Sequence, residues 1–304
     1  MADTGWAPSD DEWGAHDRDW RRLARQLQNG ECTPFIGAGA SAGVMPTAER
    51  LSQEIAERFD YPFPDGHEFQ HVSQYATIRS FSAAAFKEDL AAEFGELDPP
   101  NGVGPENPYA MLARLPLSTY ITTNYDAFIV RALLKAGKSP IHEHYPWYEA
   151  RMPRSGRAHR PTVERPLVYH LHGNFGNSHS MVCSEEDYHV FLANLARRKD
   201  PRWKLPIPIV GAITQRPLLF VGYSLRDWTF RIIFHALLMP RAEMLKHAHV
   251  SIQLAPRLTD GRPETLARAK DYLERYYGQF KISVYWGGTD LFFQTLAGYL
   301  DSSA

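Results

Sequence analysis

Four short stretches combine glycine with side chains that can hold hydroxyls or move protons. They are Phe35 to Ser41 (FIGAGAS), Ile121 to Phe128 (ITTNYDAF), Val168 to Phe175 (VYHLHGNF) and Leu219 to Phe230 (LFVGYSLRDWTF). In the first, Gly37, Ala38, Gly39 and Ser41 follow an apolar run. Glycines at a strand end let backbone N–H groups approach a pyrophosphate. GAGAS lacks the spacing of GxGxxG, so a tight strand-to-helix turn without a ligand stands beside that reading. In the second, Thr122, Thr123, Asn124 and Asp126 either point into a cleft and hold ribose hydroxyls or simply start the next helix. In the third, His172 precedes Gly173, with His170 two residues earlier. An imidazole titrates near neutrality and suits a general base, and a packed core or edge histidine is the alternative. Cys and Glu partners at metal-ligand spacing are missing. In the fourth, Gly222 permits close backbone approach. Ser224 could bond a ribose or phosphate, or cap a helix together with Asp227.

The elements around these stretches place all four at strand ends. Cys32 to Ile36, Ser118 to Asn124, Leu167 to Gly173 and Arg216 to Ser224 read as short buried strands, with PIHEHY, SMVCS, HVSIQLA and KISVYW as further strands. Helices are expected over Asp17 to Gln28, Thr47 to Phe59, Glu68 to Gly95, Tyr109 to Leu115, Tyr125 to Gly137, Glu185 to Arg198, Leu225 to Leu238, Pro263 to Gly278 and Thr289 to Leu300. Leu51, Ile55 and Phe59 give the second of these one apolar face. Such alternation predicts an α/β fold: a Rossmann-like, mainly parallel sheet with helices on both faces and helical insertions at about 46–115 and 177–214. Residues 1–30 read as a leader and a helix, and 31–300 as one nucleotide-binding domain. In sheets of this kind ligands bind at the carboxyl ends of the strands.

Composition narrows the classes further. The chain has 304 residues, is 44% hydrophobic and carries a formal net charge of -2, so it can fill a core and has no overall bias toward polyanions. Its two cysteines, Cys32 and Cys183, form no CxxC pair, which fits a reducing cytoplasm. No apolar run reaches the length of a membrane span.

As an ordered set, GAG-x-S (Gly37 to Ser41), T-x-N-x-D (Thr122 to Asp126), H-G (His172-Gly173) and G-x-S-L (Gly222 to Leu225) resemble the sirtuin superfamily. A deacylase of that superfamily carries a four-cysteine zinc ribbon after H-G, where this chain has only Cys183. The first motif continues as AGVMPTAERL, not as the deacylase GIPDFR-type stretch, and the gap from Asp126 to His172 is long. The chain is therefore similar to the zinc-less sirtuin-like branch of bacterial anti-phage defence systems, whose acidic-Tyr helix start SEEDYHVF also resembles.

The resemblance implies an NAD hydrolase that takes NAD as substrate, without zinc, and releases nicotinamide and ADP-ribose. It implies phosphate contacts from Gly37, Ala38, Gly39 and Ser41. Asn124 and Asp126, beside Thr123, would hold the nicotinamide ribose and place a water. His172 would be the base or ribose-orienting group. Gly222, Ser224 and Leu225 would line the adenosine side, and Gly287 to Asp290, by their position at the last strand end more than by motif, would cover the adenine. Such an activity must be gated. The chain ends near the end of the catalytic domain, so the sensor is expected to be a separate ATPase-, helicase- or Argonaute-type protein, or a homo-oligomeric assembly. Nucleic acid would act only indirectly, and no membrane is involved. Candidate contact surfaces are Trp6, Trp13 and Trp20, and the basic loop Arg151, Arg154, Arg157, Arg160 and Arg165, for which a solvated, partly mobile segment is the favoured reading. Two other readings remain open: a non-catalytic sensor of NAD or ADP-ribose, and a protein deacylase, which the missing zinc ribbon disfavours.

Overall fold

The computed structural model describes residues 13–14, 16–66, 68–80, 82–99, 107–149, 160–197, 200–224, 231, 235, 237, 248–254 and 262–302. Trp6, Arg151, Arg154, Arg157, Leu225 and Asp227 lie outside the described residues. The described strands are β1 (Thr33–Ile36), β2 (Thr119–Thr122), β3 (Ile141–His144), β4 (Leu167–His170), β5 (Leu218–Val221), β6 (His249–Gln253) and β7 (Ile282–Trp286). They form one sheet in the order β3-β4-β2-β1-β5-β6-β7, every neighbouring pair parallel.

Strands β4, β5 and β7 are largely apolar because both sheet faces are covered, whereas the edge strand β3 is mostly polar and only partly buried. Successive side chains point to opposite faces, so β1, β2, β4, β5 and β7 each feed two cores. Phe35, Ile121, Tyr169, Phe220 and Trp286 enter one core. Ile36, Tyr120, Val168, Val221 and Tyr285 enter the other. Helices α7 (Glu185–Ala196), α8 (Ile207–Gln215) and α9 (Pro263–Gly278) supply Phe191, Ile213 and Tyr277 to the first. Helices α1 (Asp17–Gln28), α5 (Pro108–Arg114), α6 (Phe128–Lys135) and α10 (Thr289–Asp301) supply Leu27, Leu112, Leu133 and Phe293 to the second.

Helices α2 (Ala48–Arg58), α3 (Phe69–Arg79) and α4 (Ala83–Phe94) form a cap with its own core of Ile55, Val72, Ala76, Phe86, Leu90 and Phe94. The helical stretch expected over Glu68 to Gly95 forms two helices, α3 ending at Arg79 and α4 beginning after Ser82. There the Ser82 hydroxyl accepts the Ala85 N–H at 3.0 Å and starts α4 afresh. SMVCS is not a strand. Ser178–Ser180 make a 3-10 turn, and Met181 and Cys183 instead fill the cap core. Lys87 of α4 pairs with Asp187 of α7 at 2.8 Å, fixing the cap to the main body. Tyr125 and Phe175, from the loops after β2 and β4, pack against the cap, which therefore lies over those two strand ends. Helix α5 is not part of the cap, since its Tyr109, Met111 and Leu112 belong to a sheet-facing core.

Trp20 cannot serve as a docking residue. It is 4% exposed and stacks with Tyr299, while Trp13 packs on Trp20 and Phe292. No helix among the described residues is long and apolar enough to cross a membrane.

Candidate active site

Strands β4, β2, β1 and β5 are consecutive in the sheet, so the four stretches far apart in sequence end side by side on one edge. Strands β2, β3 and β4 build one side of β1, and β5 to β7 build the other. The switch point falls between β1 and β5, where open α/β sheets bind ligands.

At that point the two loops interlock. Ala38–Ser41 form a 3-10 turn. The Gly37 N–H donates to Val221 O and the Gly39 N–H to Gly222 O, both at 2.8 Å. Gly222 has φ +76°, and a Cβ there would stand 2.1 Å from Ala40 N. Glycine is demanded here by backbone packed on backbone in a left-handed conformation. The next residue, Tyr223, donates its hydroxyl to Ile36 O at 2.9 Å and lies 2.8 Å from Thr123 Oγ1. It joins the ends of β1, β2 and β5. Ser224 follows, exposed.

Asn124 sits one strand further along. Its backbone N–H donates to Thr122 Oγ1, and Thr122 in turn donates to Ile36 O. Its Nδ2 donates to Gly37 O at 3.1 Å and to Ser41 Oγ at 3.2 Å. Ser41 Oγ also donates to Asp126 Oδ2 at 3.0 Å and lies 2.6 Å from the Tyr109 hydroxyl. Asp126 Oδ1 accepts the Phe128 N–H. Asn124 is 8% exposed, Asp126 6% and Ser41 1%. Burial raises the Asp126 pKa above the usual carboxylate value, while the Phe128 amide and the Ser41 hydroxyl oppose that shift. Ser41, expected at a phosphate, spends its hydroxyl on Asp126 and accepts from Asn124. Both Asp126 oxygens already accept protein donors, so in this structure Asp126 braces Ser41, which in turn holds Asn124.

His172 follows β4. Gly173 turns the chain with φ +79°, and a Cβ at that position would strike Ser180 O at 2.1 Å. The imidazole is 3% exposed and meets Tyr188 and Phe191 edge to face at 5.3 and 5.0 Å. Its Nε2 has no hydrogen-bond partner among the described residues. Desolvation lowers its pKa to about 3, so at neutral pH the ring is uncharged. The neighbouring His170 Nδ1 lies 2.8 Å from Asn124 O. A carbonyl can only accept, so the proton of that bond is on Nδ1.

Of the residues singled out from the sequence, Gly37 to Ser41, Thr123, Asn124, Asp126, Gly222 and Ser224 lie on three adjacent strand ends, and His172 lies on the fourth. Gly287 to Asp290 follow β7, three strands from β1 in the sheet. Tyr109 and Tyr223 were missed. The first lies in a segment with no catalytic signature, and its only sequence cue is the preceding Asn107-Pro108 helix start. The second stands inside Gly-Tyr-Ser, where the glycine and serine drew the attention. Among the described residues, no three His, Cys, Asp or Glu side chains converge as a metal-binding group.

A profile of the SIR2-like domain matches residues 118–278, more than half of the chain. The chain belongs to the SIR2-like domain family. The matched segment runs from β2 through α9. The Gly37–Ser41 turn lies outside it but is bonded to it through Asn124 and Gly222. The SIR2-like chain is 29% identical over 211 residues to the NAD(+) hydrolase ThsA of Cytobacillus dafuensis, covering 68% of this chain and 38% of that protein. It is 30% identical over 207 residues to the NAD(+) hydrolase ThsA of Bacillus cereus (strain MSX-D12), covering 67% and 39%. The chain thus spans roughly two fifths of the length of these curated relatives.

Two of the buried histidines of this SIR2-like domain, His170 and His172, predict acid sensitivity. His170 is also lowered to about 3, by burial first and by the nearby His142 second. In the unfolded chain both titrate near 6.5. Between about pH 6.5 and 3 the unfolded state therefore binds more protons than the folded state, and stability falls as pH falls. Each group contributes a slope approaching 1.4 kcal/mol per pH unit, roughly 2–3 for the pair. Asp126, whose folded pKa is raised, acts in the opposite sense, but only above the usual carboxylate pKa near 4 and as one group against two. Calorimetry should show Tm dropping steadily from pH 7 to 5. His172→Phe should make that decline shallower. An unchanged slope in this variant would mean that His172 is not held neutral by burial.

Proposed function

We propose that this chain hydrolyses NAD at the bond between nicotinamide and ribose, releasing nicotinamide, ADP-ribose and a proton. The observation that carries the reading is that Asn124, after β2 and bonded to the Gly37 turn, and His172, after the adjacent strand β4, lie at neighbouring strand ends on one edge of the sheet, in a chain similar to proteins named NAD(+) hydrolases. Cleavage of this bond passes through an oxocarbenium-like state. Nicotinamide leaves readily, so the protein must orient the ribose and deliver water more than it must supply an acid. The pyrophosphate would lie against the Ala38–Ser41 turn and the Gly222 to Ser224 loop. The Asn124 amide would hold the water or a ribose hydroxyl, and neutral His172 would accept the proton given up.

The reading includes gating and a role in anti-phage defence. An unrestrained NAD hydrolase would exhaust its own cell. The burial of Asn124 against Gly37, Ser41 and Tyr109 and of His172 between Tyr188 and Phe191 supports a resting state that a partner or a change of assembly opens. The partner proposed is a separate ATPase- or helicase-type sensor, or further copies of this chain as a homo-oligomer, with cytoplasmic NAD as the target. Burial of the base favours a second reading as well, a module that binds NAD or ADP-ribose without turnover. A time course of NAD with the purified protein, resolved by chromatography, separates the two. Equal release of nicotinamide and ADP-ribose by the wild type, lost in Asn124→Ala, supports hydrolysis. Saturable NAD binding with no product, in every assembly state tested, supports the sensor and overturns the hydrolase.

A further inference from the structure

The hydrogen-bond directions around Asn124 assign a role to a residue outside all four motifs. Gly37 O can only accept, so the Asn124 atom 3.1 Å from it is Nδ2, and Oδ1 faces the other way. No hydrogen bond from the described residues reaches that Oδ1. Ser41 has one proton, and it lies on the 3.0 Å bond to Asp126 Oδ2. The 2.6 Å contact between Ser41 Oγ and Tyr109 must then use the phenol proton. The second Nδ2 proton of Asn124 is shared between Ser41 Oγ at 3.2 Å and the Tyr109 oxygen at 3.4 Å.

We propose that Tyr109 is a positioning residue that feeds the chain Tyr109→Ser41→Asp126 and thereby locks Asn124 with Oδ1 turned to the cleft, as the acceptor for substrate hydroxyl or water. The proposal rests on the hydrolase reading for its catalytic consequence, though not for its geometry. With Ser41 oriented by Tyr109, its lone pair faces Nδ2, and a flipped Asn124 would set Oδ1 against Gly37 O. The phenol suits this task. It is 1% exposed, and burial and the Asp126 charge push its pKa well above the ordinary value, so it keeps the proton it donates. Its ring packs edge to face on Phe128 at 5.8 Å. Asn107, capping α5 through the N–H groups of Tyr109 and Ala110, fixes where the ring enters.

Tyr109→Phe removes the hydroxyl and keeps the ring. Two measurements on the isotope-labelled full chain test the role. The first follows solvent exchange of the Asn124 side-chain amide by NMR, assigned by its disappearance in Asn124→Ala, and needs no turnover. The variant should exchange about tenfold faster, the equivalent of one hydrogen bond. The second is NAD turnover: kcat should fall about tenfold with KM nearly unchanged, and the loss should vanish in the Asn124→Ala background. An Asn124 amide with the same shift and exchange rate in both proteins overturns the proposal, as does an undiminished kcat. A wild type that forms no product in any assembly state tested removes the hydrolase reading, and the amide measurement then decides the role of Tyr109 alone.

Discussion

Substituting His172 with alanine should lower kcat for NAD cleavage by about 10²–10⁴-fold, the usual contribution of a positioned general base. The ring sits between Tyr188 and Phe191 with Nε2 unpaired among the described residues, so it adds little to the fold through hydrogen bonding. Removing it leaves a small cavity but also deletes a buried polar atom without a partner, two effects of opposite sign. His172→Phe fills the space between the two rings and should be at least as stable as the wild type while equally inactive. A large loss of kcat without a loss of Tm separates chemistry from packing. The pH profile adds a second criterion. With a pKa near 3 the base is already deprotonated throughout the range of assay, so kcat/KM should stay flat from about pH 5 to 8. A variant that retains activity within about threefold of wild type would end the assignment of His172 as base. A profile falling below pH 6.5 would instead show that the site opens to water before it reacts.

Strand positions were legible where a strand holds a short apolar run bounded by glycine, proline or polar residues, as in Leu218 to Gly222. The common edge of the four motifs was legible too, since a parallel sheet sends all its strand ends one way. Atomic roles were not. Asp126 and Ser41 stand in motifs that read as ligand-binding, yet their polar atoms are spent on each other. That pairing depends on the turn of the chain at Gly37 and on a helix seventy-odd residues away, information that no local pattern holds. SMVCS has strand-like composition, but its apolar side chains were claimed by the cap. The environment of His172 depends on Tyr188 and Phe191 from α7, which the sequence placed on a helix without saying which strand end that helix covers.

Gly222→Ala should be the most damaging single-methyl change at the switch point. Two costs combine. Alanine at φ +76° is in the left-handed region, worth about 1–2 kcal/mol. Its Cβ would also stand 2.1 Å from Ala40 N and 2.7 Å from Gly37 O, both backbone atoms with no side-chain torsion to relieve the overlap. One of the two loops must move, and with it go the bonds from Gly37 N to Val221 O and from Gly39 N to Gly222 O. Together these should cost about 3 kcal/mol or more, a large share of the stability of an ordinary domain. The consequence should reach function as well as folding. A displaced Gly37 carbonyl releases Asn124 Nδ2, so NAD binding and kcat should both decline. Gly298→Ala is the control: the site lies within α10 with nothing near the added methyl, and alanine there should stabilise by about 0.5–1 kcal/mol. Denaturant unfolding and calorimetric NAD titration of the two variants make the comparison. If Gly222→Ala matched Gly298→Ala in stability and in NAD affinity, the interlocked loops would not be what shapes the site.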